Sequence, residues 1–180
     1  FSSGKSLEAF ALASLVERGL LDYDKKIADY WPEFGINGKE NITVAYLMRH
    51  EAGLVSFKTT LHPEQMLLEN IKQNSVGRIL EGLKPSLSRA FRFRRKYHAL
   101  TRGWVVNELF RRLDPQGRTM GEYIREDLAE PLGIDVYVGV QESEIERRVP
   151  LSGFSVLNYV VESLKPRRLG RGVQHSITDL

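Results

Sequence analysis

Residues 1–22 of the chain read FSSGKSLEAFALASLVERGLLD, and this segment sets the architecture. Its apolar residues recur at helical spacing, which places Leu7, Phe10, Ala11 and Leu15 on one face. Further apolar residues cover much of the remaining surface, a pattern that is typical of a buried helix. We therefore predict a buried helix over residues 3–19, which ends at Gly19.

Ser2 and Lys5 lie three residues apart where this helix begins, so both side chains can face one side of its first turn. A serine hydroxyl becomes a nucleophile when a base takes its proton, and a lysine amine is such a base when burial lowers its pKa. The N–H groups of a helix N-terminus suit an oxyanion. This S-x-x-K spacing is that of penicillin-recognising enzymes. On its own, however, the motif is more often a capped helix whose lysine extends to solvent.

Helical patterns also dominate the rest of the chain. Thr43 is a predicted N-cap, and Thr119 and Glu122 have the spacing of a capping box. Val136, Val138 and Val140 alternate, which predicts a strand over residues 135–140. One strand is not a sheet, so we expect its partners in flanking sequence. The further predicted helices are residues 25–31, 44–50, 63–73, 97–113, 119–131 and 150–165.

Composition places the chain among ordinary globular proteins. Hydrophobic residues make up 42% of the 180 positions and charged residues 27%, which excludes disordered, collagen-like and disulfide-scaffold classes. There is no cysteine, and therefore no thiolate nucleophile or cysteine zinc site. No apolar run is long enough to span a membrane. The chain begins at Phe1 in mid-pattern without a visible signal peptide, so we expect a fragment with both flanks missing.

Four blocks of the chain, met in the family's order, resemble the β-lactamase-related serine hydrolases. This family includes class C β-lactamases, penicillin-binding-protein-like esterases and eukaryotic β-lactamase-domain proteins. The resemblance covers about residues 1–135 and is clearest over 1–56 and 96–135. It implies an α+β, β-lactamase/transpeptidase-like fold, of which residues 1–180 are a partial domain and mainly the helical part. The blocks are FSSGKSLEAF with LVERGLLD, then IADYWPEF, ITVAYLMRHEAGL, and YHALTRGW running on to EPLGI.

The resemblance also implies catalytic residues. The family's nucleophile and lysine match Ser2 and Lys5, and the tyrosine of its Tyr-x-Asn motif, a proton relay, matches Tyr97. The asparagine position holds Ala99, which places β-lactam binding in doubt because that amide commonly contacts the substrate's acyl side chain. The family's third motif, Lys-Thr-Gly or His-x-Gly, does not occur in the chain, so we expect the 180 residues alone to be inactive.

Other interpretations of these residues remain open. Gly4-Lys5-Ser6 also fits the end of a phosphate-binding loop. Residues 89–125 hold ten Arg or Lys side chains against three acidic ones, a patch that could attract nucleic acid. Among the four histidines no pair has metal-ligand spacing, and His50 is interpreted as a structural residue of its block. The rivals to an enzyme are therefore a non-catalytic homologue that binds or scaffolds and a basic nucleic-acid-binding module.

The sequence favours a serine hydrolase that acts through an acyl-enzyme on an ester or amide. Ser2 is the expected nucleophile, Lys5 the base and Tyr97 the proton relay. No cofactor and no metal are expected, and the expected partner is a small ester or amide substrate. The identity of that substrate, the oligomeric state and the compartment are not specified by the sequence.

Overall fold

Helices form the regular secondary structure in the part of the chain that the structure describes. The structure is a computed structural model that describes residues 2–85, 95–147 and 149–150 and the single positions 155, 157 and 160. The chain separates into two compact units, residues 1–139 and residues 140–180. Over the described ranges there is no β-strand, and an isolated antiparallel bridge joins Lys26 to Thr43.

The first unit contains the site and most of the helices. None of the helices in the described ranges is both long and apolar enough to cross a lipid bilayer. Short 3₁₀ helices lie at Pro32–Gly35, at Pro63–Met66 and, in the second unit, at Glu142–Arg147, and a π-helical segment lies at Ile124–Ala129. The α-helices are α1 (Gly4–Glu17), α2 (Ile27–Tyr30), α3 (Val44–Met48), α4 (Leu68–Lys72), α5 (Ser75–Gly82), α6 (Thr101–Leu113), α7 (Met120–Tyr123) and α8 (Glu130–Leu132).

Helix α1 forms where the sequence predicts it, but a different face is buried. The amides of Gly19 and Leu20 donate to the carbonyls of Val16 and Leu15, and Gly19 has a φ of 71°. This is the glycine-dependent motif that ends many helices. The predicted burial of Phe10 is wrong, because 56% of its surface is exposed. The buried side chains of α1 are Glu8, Ala11, Leu12 and Leu15.

Helix α1 packs against α6 in the hydrophobic core. Helix α6 buries Val105, Val106, Leu109 and Phe110, which recur at one helical face. This packing places the first turn of α1 beside the residues that precede α6. The core is completed by buried residues from the intervening segments: Ile27, Trp31, Phe34, Val44, Leu47, Leu54, Val76 and Leu80.

The predicted start of α6 at Tyr97 is wrong by four residues. The helix begins at Thr101, and residues 95–98 carry no helical turn. The hydroxyl of Thr101 donates to the carbonyl of Leu54, and Leu100 is 70% exposed. Tertiary hydrogen bonds from residues 96–98 replace the helical bonds that the apolar spacing predicted. They leave Tyr97 on a loop whose position depends on the rest of the unit.

Both predicted caps are confirmed. The side chain of Thr43 accepts a hydrogen bond from the amide of Tyr46 at the start of α3. At the start of α7, Thr119 and Glu122 form the reciprocal capping box. Other helix boundaries differ from prediction. The helix expected over residues 63–73 is divided into the 3₁₀ helix and α4, and the helix expected to stop at Pro131 continues to Leu132, after which Gly133 has a φ of 62°.

The strand predicted over residues 135–140 is absent. This segment lies against α7 instead, where a Cβ on Gly121 would come within 2.1 Å of the Val138 carbonyl oxygen. Gly139 then turns the chain with a φ of 81°. Alternating valines form a strand only beside a partner strand, and the described residues supply none. The helix predicted over residues 150–165 lies largely outside the described residues.

Candidate active site

The three residues predicted to carry the chemistry lie together in the structure. The Ser2 hydroxyl oxygen is 2.5 Å from the Tyr97 phenol oxygen, and either oxygen can be the donor. The Lys5 ammonium lies 5.0 Å from the centre of the Tyr97 ring. Helix α1 supplies Lys5 in its first turn, Ser2 lies two residues before that helix begins, and the loop before α6 supplies Tyr97. The arrangement brings together a serine hydroxyl, a phenol and an ammonium group.

The surroundings of Tyr97 favour its phenolate. The hydrogen bond with Ser2 is the largest cause that lowers the pKa of Tyr97 below its ordinary value near 10, and Lys5 adds to it by hydrogen bonding and by charge. Tyr97 is 50% exposed. A phenol with a lowered pKa can accept a proton from a serine at a lower pH than free tyrosine can.

His50 holds the segment that carries Tyr97. The amide of Lys96 donates to the His50 carbonyl at 3.0 Å, and the amide of His98 donates to His50 Nδ1 at 3.0 Å. The residues on either side of Tyr97 are therefore both bonded to one histidine. The His50 ring also packs on the Tyr97 ring with centroids 4.9 Å apart. These contacts agree with the prediction that His50 is a structural residue. They also show that the segment it supports is the one that carries Tyr97.

The hydrogen bonds assign the proton positions of both histidines. His50 Nδ1 accepts from an amide, so the proton of the neutral His50 ring is on Nε2. His98 Nδ1 lies 2.6 Å from the Lys96 carbonyl, which can only accept, and His98 Nε2 accepts from the Leu54 amide. Burial first, and the Arg102 guanidinium second, lowers the pKa of His50 to about 4. Burial also lowers the pKa of His98. Both imidazole rings are therefore neutral at pH 7 and serve as hydrogen-bonding groups within the fold.

Ala99 contributes its backbone to the site. Its carbonyl accepts a hydrogen bond of 2.9 Å from the Lys5 ammonium, while its methyl group is exposed. The carbonyl therefore fixes Lys5 without any side-chain amide at position 99. A substitution of the Ala99 side chain would leave this backbone contact in place.

A buried ion pair beside the site went unnoticed in the sequence. Arg102 Nε donates to Glu8 Oε2 at 2.8 Å, and the two side chains are 8% and 10% exposed. The sequence carried one signal for Glu8: it lies three residues after Lys5, so it shares a side of the helix with that residue. Without a known partner for Glu8, the spacing alone did not separate it from an exposed acid.

Five arginines of the basic window of residues 89–125 form ion pairs in the part of the chain that the structure describes: the exposed Arg95, which pairs with Glu51, and four arginines with largely buried side chains. Arg102 pairs with Glu8, Arg111 and Arg112 both pair with Glu108, and Arg118 pairs with Asp114. The guanidinium groups of these four arginines form ion pairs within the fold and do not form an open cationic surface. Residues 89–94 of the window lie outside the described residues. In the described ranges no group of three His, Asp or Glu side chains has the geometry to hold a metal ion.

Comparison with known proteins identifies a family and several relatives of the chain. The sequence model of the family described as "Beta-lactamase" matches residues 1–180. The curated protein "Esterase/beta-lactamase LipL" of Mycobacterium tuberculosis is 36% identical over 150 residues, which are 83% of this chain and 33% of that protein. The chain therefore spans about a third of the length of this relative.

Solved structures match the fold as well as the sequence. A penicillin-binding protein homologue from Caulobacter crescentus has a TM-score of 0.69 and 34% identity, over 92% of this chain and 45% of that one. EstA from Arthrobacter nitroguajacolicus has a TM-score of 0.67 and 35% identity, over 82% and 37%. A family VIII carboxylesterase has a TM-score of 0.69 and 29% identity, over 82% and 39%. These likenesses confirm the predicted fold class, of which the described residues form the helical part.

Proposed function

The chain belongs to the beta-lactamase family, and we propose that the protein is a serine hydrolase that cleaves a small ester or amide through an acyl-enzyme. The observation that carries the proposal is the 2.5 Å contact between Ser2 and Tyr97 beside the Lys5 ammonium. The names of two relatives, an esterase/beta-lactamase and a carboxylesterase, support an ester as the substrate class.

In the proposed acylation step, Ser2 Oγ attacks the carbonyl carbon of the substrate while the Ser2 proton passes to the Tyr97 phenolate. The new C–O bond gives a tetrahedral oxyanion. Collapse of that intermediate breaks the bond to the leaving group, which takes the proton back from Tyr97. The product of this step is an acyl-enzyme on Ser2 and a free alcohol or amine.

Deacylation repeats the same proton path with water. A water molecule attacks the acyl carbonyl carbon and gives its proton to Tyr97, and the Ser2 oxygen leaves and recovers that proton. Tyr97 acts as base and then as acid in each half of the cycle, which requires a pKa nearer to the working pH than that of free tyrosine. The lowered pKa of Tyr97 supports this role.

The hydrogen bonds of the site favour Tyr97 over Lys5 as the direct base. The Lys5 ammonium donates to the Ala99 carbonyl, whereas the phenol of Tyr97 is the group that reaches the Ser2 hydroxyl. We therefore assign the proton transfer to Tyr97, and to Lys5 the positive charge that stabilises the phenolate. The role of Lys5 as the direct base stays a prediction of the sequence alone.

A fluorophosphonate probe, which reacts with activated serines, tests the proposal. The full-length protein should be labelled at Ser2, and Ser2→Ala should abolish labelling. Ser3→Ala is the matched control, because Ser3 is exposed, lies one residue further on and carries an identical hydroxyl. Labelling that persists in Ser2→Ala, or that disappears equally in Ser3→Ala, would contradict the assignment of the nucleophile.

A further inference from the structure

The guanidinium of Arg102 joins the elements that carry the site. Its Nη2 donates to the carbonyl of Lys5 at 3.1 Å, in the first turn of α1. Its Nη1 donates to the carbonyl of Met48 at 3.2 Å, at the last residue of α3. Its Nε is bonded to the Glu8 carboxylate. Each of the three guanidinium nitrogens therefore has a partner, and the partners come from α1 and α3, while Arg102 itself belongs to α6.

The same guanidinium reaches the support of Tyr97. Arg102 Nη1 also lies 3.3 Å from His50 Nε2, but both nitrogens carry protons in the tautomer assigned above, so the connection runs through the hydrogen bond to the Met48 carbonyl, two residues before His50. His50 follows α3 by two residues and holds both neighbours of Tyr97 through its carbonyl and its Nδ1. A shift of Arg102 would thus change the position of α1 and of the Tyr97 loop relative to each other, without any direct contact between Arg102 and the Tyr97 hydroxyl.

Gly103 provides the space that the ion pair needs. A Cβ at position 103 would lie 2.9 Å from Glu8 Oε1 and 3.5 Å from its carboxyl carbon. A methyl group there would displace the carboxylate, which is buried and bonded to Arg102 and so has little freedom to move aside. The glycine lies within α6, where it costs helical stability relative to alanine. The close approach of the Glu8 carboxylate explains why a glycine occupies position 103.

We propose that Arg102, paired with Glu8, is a positioning residue that sets the distance between Tyr97 and the first turn of α1. Ion pairs of this kind are weak evidence for stability, because the loss of hydration offsets the attraction between the charges. The fork of a guanidinium instead fixes geometry, since its donors have set directions. The catalytic importance of this positioning rests on the proposed function. The distance between Tyr97 and the first turn of α1 is a property of the fold and can be tested independently.

The test uses the titration of Tyr97 itself. 3-Fluorotyrosine is placed at position 97 of the full-length protein, and its ¹⁹F shift is followed with pH. In Arg102→Met the Ser2 and Lys5 contacts that lower the pKa of Tyr97 are loosened, and a positive charge is removed, so the midpoint should move to higher pH. Gly103→Ala should move it in the same direction by a smaller amount, although it removes no hydrogen-bonding group.

Arg118→Met is the matched control. Arg118 is also buried and paired with an aspartate, Asp114, but it lies beyond the opposite end of α6. It should lower the melting temperature and leave the ¹⁹F midpoint unchanged. If Arg102→Met does not fold, Gly103→Ala alone decides the result. A midpoint that stays at the wild-type value in the folded variants would overturn the positioning role.

Kinetics separate this inference from the proposed function. With p-nitrophenyl acetate, Arg102→Met should lower kcat by about 10²-fold with little change in KM, since a displacement near 1 Å can have that effect. If labelling survives in Ser2→Ala while the ¹⁹F midpoint still moves in Gly103→Ala, which removes no charge, the proposed nucleophile fails and the positioning role stands. If labelling depends on Ser2 and the ¹⁹F midpoint does not move, the proposed nucleophile stands and the positioning role fails.

Discussion

The hydroxyl oxygen of Ser2 lies 2.5 Å from the phenol oxygen of Tyr97, although 95 positions separate the two residues in the sequence. Ser2 precedes α1, and Tyr97 lies on a loop that is hydrogen-bonded to His50 on both sides. A contact of this length between two flexible groups requires both supports to be fixed. The packing of α1 on α6 holds the Ser2 side, and the hydrogen bonds of His50 to Lys96 and His98 hold the Tyr97 loop.

Tyr97→Phe should lower the rate of Ser2 acylation by about 10²–10⁴-fold, the usual contribution of a positioned acid or base. The ring and its packing on His50 remain in this variant, so the loss reports the hydroxyl alone. The measurement is the pseudo-first-order rate of fluorophosphonate labelling. Tyr46→Phe is the control, since Tyr46 is also a partly exposed tyrosine, packed near Arg49 and away from Ser2. Labelling of Tyr97→Phe at the wild-type rate would remove Tyr97 from the mechanism.

The pH dependence of labelling should identify Tyr97 as the base. A base works in its deprotonated form, so the rate should rise as the pH increases through the lowered pKa of Tyr97. Lys5→Met removes a hydrogen bond and a positive charge that lower this pKa, and the rising limb should therefore move to higher pH. Lys25→Met, at an exposed lysine, should leave the limb in place. A limb at the same pH in Lys5→Met would show that another group titrates.

The sequence was sufficient to select three candidate residues that lie together in the structure, because their signals are local or are carried by a motif. Ser2 and Lys5 share one helical turn, and Tyr97 lies in a block of the family pattern. The caps at Thr43 and Thr119 were likewise predictable, since capping depends on residues three positions apart.

The features that sequence reasoning missed depend on distant partners. Apolar spacing placed Tyr97 inside a helix, whereas the bonds to His50 hold it outside one. The role of Glu8 required knowledge of Arg102, 94 positions away. The valines of residues 135–140 alternate as in a strand, but alternation does not supply the neighbouring strand that a sheet needs.

The stability of the fold should decrease as the pH falls from about 6.5 to about 4. The folded-state pKa of His50 is lowered to about 4 from an ordinary value of 6.5, so the unfolded chain binds more protons in this range. His50→Asn should flatten part of this dependence. Asparagine keeps an acceptor for the His98 amide and tolerates the φ of 64° at this position.

Urea unfolding at pH 7, 5.5 and 4.5 measures this effect. His98, whose pKa is also lowered by burial, accounts for some of the slope that should remain in His50→Asn. His62→Asn, at an exposed histidine, serves as the control and should leave the slope unchanged. An identical slope in His50→Asn and in the wild type would show that His50 is not the group that titrates.

Ala99 should make the protein a better esterase than β-lactamase. The family's amide at this position commonly contacts the acyl side chain of a β-lactam, and Ala99 offers only a methyl group, while its carbonyl is engaged by Lys5. We expect p-nitrophenyl acetate to be turned over with a higher kcat/KM than penicillin G. Ala99→Asn should raise the kcat/KM for penicillin G by about 3–10-fold, the equivalent of one added hydrogen bond. Leu100→Asn, which adds the same amide at the next exposed position, should not. Efficient penicillin hydrolysis by the wild type with negligible esterase activity would refute this expectation.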